Sequence, residues 1–316
     1  MALADLVMAR TPPSTRRASA WLLQGLAVAA ALGALALVAV TTLENLRARG
    51  LPLGLDFLVE RAGFSVAETV LPFSPEDIAL WAIAVGVVNT LFVSAIVCVG
   101  STGLGLLLGI ARLSENPLVA RLAQVWVEGV RNTPPILLLI FIYTLWSQAL
   151  PPEAVLQLGP ATLTMRGLTV PALNAAGQAT LTPELATILL GLTLYTTGFV
   201  AEIVRGGIQS VPRGQWEAAR ALGLGYAQTL HLVIIPQTLR AILPPMTSQY
   251  INIVKNSTLA LAVGYTDFLT IMGTLINTSS HAVEGTLIIV AVYLAINLSI
   301  SAALNLYNRR VALRER

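Results

Sequence analysis

Residues 205–240 read RGGIQSVPRGQWEAARALGLGYAQTLHLVIIPQTLR, set between two long apolar runs. The stretch is long for a connection between helices. It is rich in Ala and Gly, and it carries apolar residues that water alone does not favour. Ala218, Ala219 and Ala221 give Gln215–Leu222 high helix propensity and a low profile. Gly223 and Gly225 end that helix, because glycine tolerates the positive φ of a C-terminal cap. Pro236 then opens the approach to the next apolar run. A short, smooth helix held at a membrane surface suits docking into a groove on another protein.

Working outward, composition explains the apolar surroundings. Hydrophobic residues make up 55% of the 316 and charged residues 11%. A soluble domain usually carries about 25% charged residues. Mean hydropathy is +0.75. Most of the surface therefore faces lipid. The pI near 9.3 does not point to nucleic acid. The basic residues stand at the ends of apolar runs rather than in a patch interleaved with aromatics. Cys98 is the single cysteine, so no disulfide forms within the chain. His231 and His281 are too far apart in sequence for a local zinc motif.

Six stretches are long enough to cross a bilayer as helix, which takes about 20 residues. They run roughly 20–41, 84–111, 134–150, 184–204, 241–263 and 286–307. The expected fold class is all-α, a polytopic membrane protein of about six transmembrane helices. The first run follows Arg10, Arg16 and Arg17 and exceeds the ~7–15 residues of a signal-peptide core, so it reads as a retained helix. Residues 118–131 form an amphipathic approach to the third run, with Pro134 and Pro135 at a helix start or kink. Residues 1–79 divide off as a first helix with an outer loop, and 80–316 as the core. Phe57, Phe64 and Phe73 among prolines make 42–79 an ordered cap, and 151–183 is expected to re-enter the membrane in part.

Of the 19 basic residues, 14 fall in 1–19, 112–134, 205–240 and 308–316, and four in 42–79, 151–183 and 264–285. Basic residues favour the cytoplasmic side, so both termini are expected in the cytoplasm.

Glu217, Ala218 and Ala219, then Gly223, then Val233, Ile235 and Pro236 resemble the EAA motif of bacterial ABC importer permeases. That motif is Glu-Ala-Ala, three residues, Gly, nine residues, Ile, any residue, Leu-Pro. Val233 and Ile235 depart from it and remain apolar. Further stretches resemble the polar and general L-amino-acid branch: Asn89-Thr90-Leu91, Gly109–Arg112, EGVRNTP at 128–134, YTTGFVAEIVRGGI at 195–208, and Lys255–Leu259. Many members of that branch have Arg-Gly-Thr-Pro-Leu where Arg131–Pro135 stand here. The resemblance implies a type I importer permease fold in the bacterial inner membrane. It also implies that 205–240 is a coupling loop entering a cleft of an ATP-binding subunit. Implied partners are a second permease, identical or related, two ATP-binding subunits that hold ATP and Mg, and a periplasmic or lipid-anchored amino-acid-binding protein.

Candidate pathway residues lie in the spans. Lys255, the only lysine, stands inside an apolar run and is followed by Asn256, Ser257 and Thr258. An ionisable group there costs about 2.5–3.5 kcal/mol on insertion scales, so it faces a cavity or a partner. It can line the substrate path, where it suits an amino-acid carboxylate, or it can snorkel or pair with Glu202 or Asp267. Thr196 and Thr197 can bond substrate or their own helix. Glu202 and Arg205, three apart, can form a gate, an intersubunit brace or a plain boundary pair. Gly105 and Gly109 form a G-x-x-x-G, which permits close helix contact.

A phosphate-binding loop ends in Gly-Lys-Ser or Gly-Lys-Thr. Lys255 follows Val254, so the chain carries no such loop and is not expected to be an enzyme or to hold a cofactor of its own. Two other classes stay open at this level: a secondary transporter driven by an ion gradient, which works without ATP, and a non-transporting scaffold, which binds no ATPase.

Overall fold

The structure, a computed structural model, describes residues 13–50, 52–149, 155–171 and 178–311. Arg10, Pro151, Pro152, Arg314 and Arg316, which enter the sequence reading, fall outside the described residues. The chain divides between Gly54 and Leu55 into two compact units. The sequence reading instead grouped the whole of 42–79 with the first helix.

The first unit holds α1, Pro13–Ala48. Its apolar side chains from Trp21 to Val40 are exposed. At about 1.5 Å per residue the helix is long enough to cross a bilayer.

The second unit opens with a cap over residues 55–78. Phe57 is buried and stacks on His281 with ring centroids 4.7 Å apart. The cap closes on itself where the Ala62 amide donates to the Asp77 carbonyl at 2.8 Å and the Ala79 amide to Glu60 at 2.8 Å. The helices α2 (Ala79–Ala111), α3 (Pro117–Arg131), α4 (Pro135–Ala149) and α5 (Pro183–Gln209) follow, then α6 (Arg213–Ala221). The chain continues through α7 (Ile235–Asn256), α8 (Phe268–Ser279) and α9 (Ala282–Val311).

Local chemistry sets these boundaries. Asn116 caps α3, its side chain accepting from the Leu118 and Val119 amides, with Pro117 in the first turn. Thr182 caps α5 in the same way, followed by Pro183. The α3–α4 pair bends by 101° at the break between Arg131 and Pro135. The α7 helix runs on as a 3-10 segment, Ser257–Val263, to Gly264 at φ 82°. Asp267 then caps α8. Helix therefore occupies much of the segment first read as the outer loop 264–285. Among the described residues four helices, α1, α2, α5 and α9, are long and apolar enough to span a membrane. The bent pairs α3–α4 and α7–α8 raise the number to six if each is one span, in line with the all-α, polytopic expectation.

The expected partial re-entry of 151–183 is replaced by a β-meander. Strands β1 (Leu156–Leu158), β2 (Ala161–Thr164), β3 (Gly167–Pro171) and β4 (Gln178–Leu181) pair antiparallel in sequence order. Thr162 faces Thr169, and Leu168 faces Leu181. An open sheet leaves edge groups without partners, which hydrocarbon does not tolerate. The meander therefore belongs outside the lipid.

The most extensive packing is α2 against α5. A Cβ at Gly105 would lie 2.4 Å from Val200 Cγ1, and one at Gly109 would lie 2.8 Å from the Ala201 carbonyl oxygen. The G-x-x-x-G is thus the crossing point of the two helices. At the other end of α2, buried Asn89 makes three bonds. Its Oδ1 accepts from the Val70 amide at 3.1 Å, and its Nδ2 donates to the Glu68 and Thr266 carbonyls, each at 2.9 Å.

Gly105→Ala should lower the unfolding free energy by about 1–3 kcal/mol, the usual cost of overpacking. Gly103→Ala on the same helix meets nothing within 4 Å and should leave stability unchanged. Thermal denaturation of the two variants in one detergent separates them; equal midpoints would remove the crossing as the reason for these glycines.

Candidate functional site

Three groups of side chains stand out from the packing. The first is at α6. Ala219 is buried, whereas Glu217, Ala218 and Leu222 are exposed. The helix starts at Arg213, two residues before the expected Gln215, and ends in a Schellman cap. The Leu224 amide reaches back to the Ala219 carbonyl at 3.1 Å, and the Gly223 amide to Arg220 at 2.9 Å. Gly223 takes φ 78°, as the sequence required. A short turn, Tyr226–Thr229, and a π-helical turn, Leu230–Ile234, then lead into α7, with Pro236 in its first turn. Ile234 is buried, and Gln237 donates to Gln215 at 3.3 Å, so the start of α7 is tied to α6. The result is a short helix with one anchored face and one bare face.

The second group surrounds Glu202. Arg205, one turn along α5, bonds it through two nitrogens, one at 3.3 Å. Arg112, which caps α2, also bonds it, and Arg131, the last residue of α3, approaches to 3.7 Å. Arg131 lies over the Phe199 ring at 5.4 Å, a cation–π contact. The sequence reading found the Glu202–Arg205 pair but not Arg112 and Arg131. In the sequence each stands only at the end of its own helix, and no spacing along the chain links either to Glu202. One carboxylate thus links three helices through three guanidinium groups.

The third group is the break after α7. Lys255 is exposed and makes no ion pair among the described residues. The two partners considered for it are engaged elsewhere. Glu202 is held by arginines. Asp267 accepts from the Thr270 amide and hydroxyl, each at 2.9 Å. Asn256 is half-buried, Ser257 is buried, and their neighbour Thr258 is half-buried. The hydroxyls of Ser257 and Thr258 bond back to Val254 and Lys255 at 2.8 and 2.7 Å. Thr196 and Thr197 are buried in α5, and Thr197 bonds back to Thr193 at 2.6 Å. The structure therefore separates the expected pathway residues into one exposed cation and several hydroxyls turned to their own helices.

Comparison with known proteins fits this arrangement. The family model described as binding-protein-dependent transport system inner membrane component matches residues 101–313. A putative amino-acid ABC transporter permease protein of Escherichia coli K12 is 36% identical over 94% of this chain and 95% of its own length. The general L-amino acid transport system permease protein of Rhizobium johnstonii is 34% identical over 88% of each chain. Among solved structures, an amino acid ABC transporter crystallised with histidines aligns at a TM-score of 0.60, with 25% identity over 73% of this chain and 94% of that one. A methionine ABC transporter in an inward-facing form aligns at 0.57 with 20% identity over 74% of this chain and 98% of that one, which bears on the fold alone. The chain belongs to the family of binding-protein-dependent transport system inner membrane components, as a multi-pass permease subunit.

Proposed function

We propose that this chain is the permease subunit of an ATP-driven importer of amino acids. It works with a second permease subunit, identical or related, and with two ATP-binding subunits that hold ATP and Mg. An amino-acid-binding protein, periplasmic or lipid-anchored, delivers the substrate from the outer side. Both termini lie in the cytoplasm. The observation that carries this reading is α6: a short helix fixed along one face, bare along the other, on the side of the membrane richest in basic residues. A bare helix face with Glu217 and Ala218 on it is suited to a groove on a partner. The amino-acid cargo is inferred from the relatives, whose names carry it.

In this reading α6 is the coupling helix, with Glu217, Ala218, Ala219, Gly223 and Pro236 as the coupling residues. Closure of the ATP-binding subunits moves α6, and its tie to Gln237 passes the displacement to the start of α7. The helices rearrange between inward-open and outward-open forms, which is alternating access. The Glu202–Arg205 pair, with Arg112 and Arg131, acts as an inner brace across which this rearrangement is transmitted. Lys255, with Asn256, Ser257 and Thr258, lies along the passage between the two permeases, and Thr196 and Thr197 line its packed wall. A mid-membrane ammonium without an ion-pair partner is costly against lipid and much less so against a watered passage. There it can attract the carboxylate of an amino acid.

In liposomes carrying the whole complex, uptake should require ATP and the binding protein. The double variant Glu217→Arg with Gly223→Pro should assemble in the membrane and lose nearly all uptake. Uptake that persists without ATP, or in that variant, would overturn the coupling role.

Lys255→Met should lower uptake at least tenfold while leaving thermal stability unchanged or raised, because it removes a charge from the span. A variant that melts earlier and transports normally would assign Lys255 a structural role.

A further inference from the structure

On the outer side of the second unit, two hollows of about 490 and 210 Å³ share Ala67, Glu68 and Tyr265 in their walls. The larger is within the range of small-molecule sites, about 300–1,000 Å³. Four separate pieces of chain enclose them: the cap at 67–70, α2 at Asn89 and Phe92, the β4–α5 junction, and the break at 264–266. Asn89 holds the cap in place through its bonds to Val70, Glu68 and Thr266. The hollow is therefore a built feature and not a gap under a loose loop.

Glu68 is the unexplained group. One of its carboxylate oxygens, Oε1, accepts from the Thr182 amide at 2.9 Å. The other, Oε2, is buried and has no hydrogen-bond partner among the described residues. A buried acceptor left unsatisfied is costly, the more so when charged, so such atoms call for an explanation. Glu184 lines the smaller hollow as well, its carboxylate accepting from the Tyr143 hydroxyl at 2.9 Å. Burial pushes the Glu68 carboxyl upward from its ordinary value, the Thr182 amide pulls it back, and the charge of Glu184 adds to the upward push. No residue lining either hollow is basic. Two carboxylates with no cation beside them, one with a free buried oxygen, leave room for a positive group from outside the chain.

We propose that these hollows receive the ammonium group of an incoming amino acid, with Glu68 Oε2 as its acceptor and Glu184 supplying a second negative charge. The assignment rests on the importer reading and adds an outer subsite to it. An ammonium needs up to three acceptors and tolerates the apolar flank that Phe92, Leu185 and Tyr265 provide. Hard metal cations such as calcium gather six to eight oxygens. Glu68 lies on the cap, outside residues 101–313 matched by the family model.

The test uses the purified complex in nanodiscs, without its binding protein, and a labelled mixture of the L-amino acids as probe. Wild type should bind label. Glu68→Gln keeps the shape and the acceptor for the Thr182 amide but removes the charge; it should weaken binding about tenfold, at an unchanged melting temperature. Glu184→Gln, the second variant should the first fail to fold, should weaken it less. Equal binding by wild type and variants, or no binding by wild type, overturns the subsite. Replacing sodium by choline should leave wild-type binding unchanged; a loss matching that of Glu68→Gln would show that the carboxylate holds an inorganic cation and overturn the ammonium assignment. ATPase stimulation by the amino-acid-loaded binding protein is measured in parallel. If it occurs while binding is insensitive to Glu68, the subsite fails and the importer reading stands; if it is absent, the importer reading fails and the subsite falls with it.

Discussion

Charge inside or beside a membrane is costly unless it is partnered, and the Glu202 end of this permease is arranged around that constraint. Glu202 is one carboxylate facing Arg112, Arg131 and Arg205. Two of those arginines also stand where α2 and α3 end, so each faces the partial negative charge of its own helix terminus. The excess of positive charge is thereby spread over helix ends as well as over Glu202. Partly buried ion pairs of this kind add little net stability, since desolvation offsets most of the attraction. Their value lies in geometry. Three helices that could slide along one another in lipid share one anchor.

A second anchor sits at the opposite end of α2, where Asn89 holds the cap and the break after α7 together. Between the two anchors, Gly105 and Gly109 let the backbones of α2 and α5 approach closely. Lipid offers no hydrophobic drive for helices to associate, so close packing and interhelical hydrogen bonds supply it instead. The α2–α5 pair is therefore the frame on which the less regular elements, the cap, the meander and the broken span, are hung.

Much of this was legible in the sequence, for definite reasons. Apolar runs long enough to span a bilayer are a strong signal, because hydrocarbon forces backbone groups to bond internally. The end of the Ala-rich helix announced itself through Gly223. The Ala-rich helix before Gly223 was read to within two residues at its start. The meander was not read: its strands are three to five residues long, too short for a clear alternating pattern. The α8 helix was hidden because Gly264 and Asp267 look like loop residues when their roles as a left-handed turn and a cap are unseen. The Glu202 cluster was half legible, since spacing along one helix reveals Arg205 but nothing in one dimension brings Arg112 and Arg131 to it. Lys255 was singled out as costly, and the acids considered as its partners turned out to be engaged by others. The free oxygen of Glu68 could not be seen at all, because orphaned atoms exist only in three dimensions.

The glycine crossing also determines how stiffness is distributed. At Gly105 and Gly109 α2 offers no side chain as a compliant spacer, so its backbone lies directly against Val200, Ala201 and Val204 of α5. The α2–α5 pair therefore behaves as one rigid strut. Any displacement entering at α6 cannot be absorbed within that strut and must be taken up where the backbone is already interrupted. Those places are the π-helical turn before α7, the left-handed residue Gly264 and the 101° bend between α3 and α4. In mechanical terms these interruptions are the joints open to such a displacement.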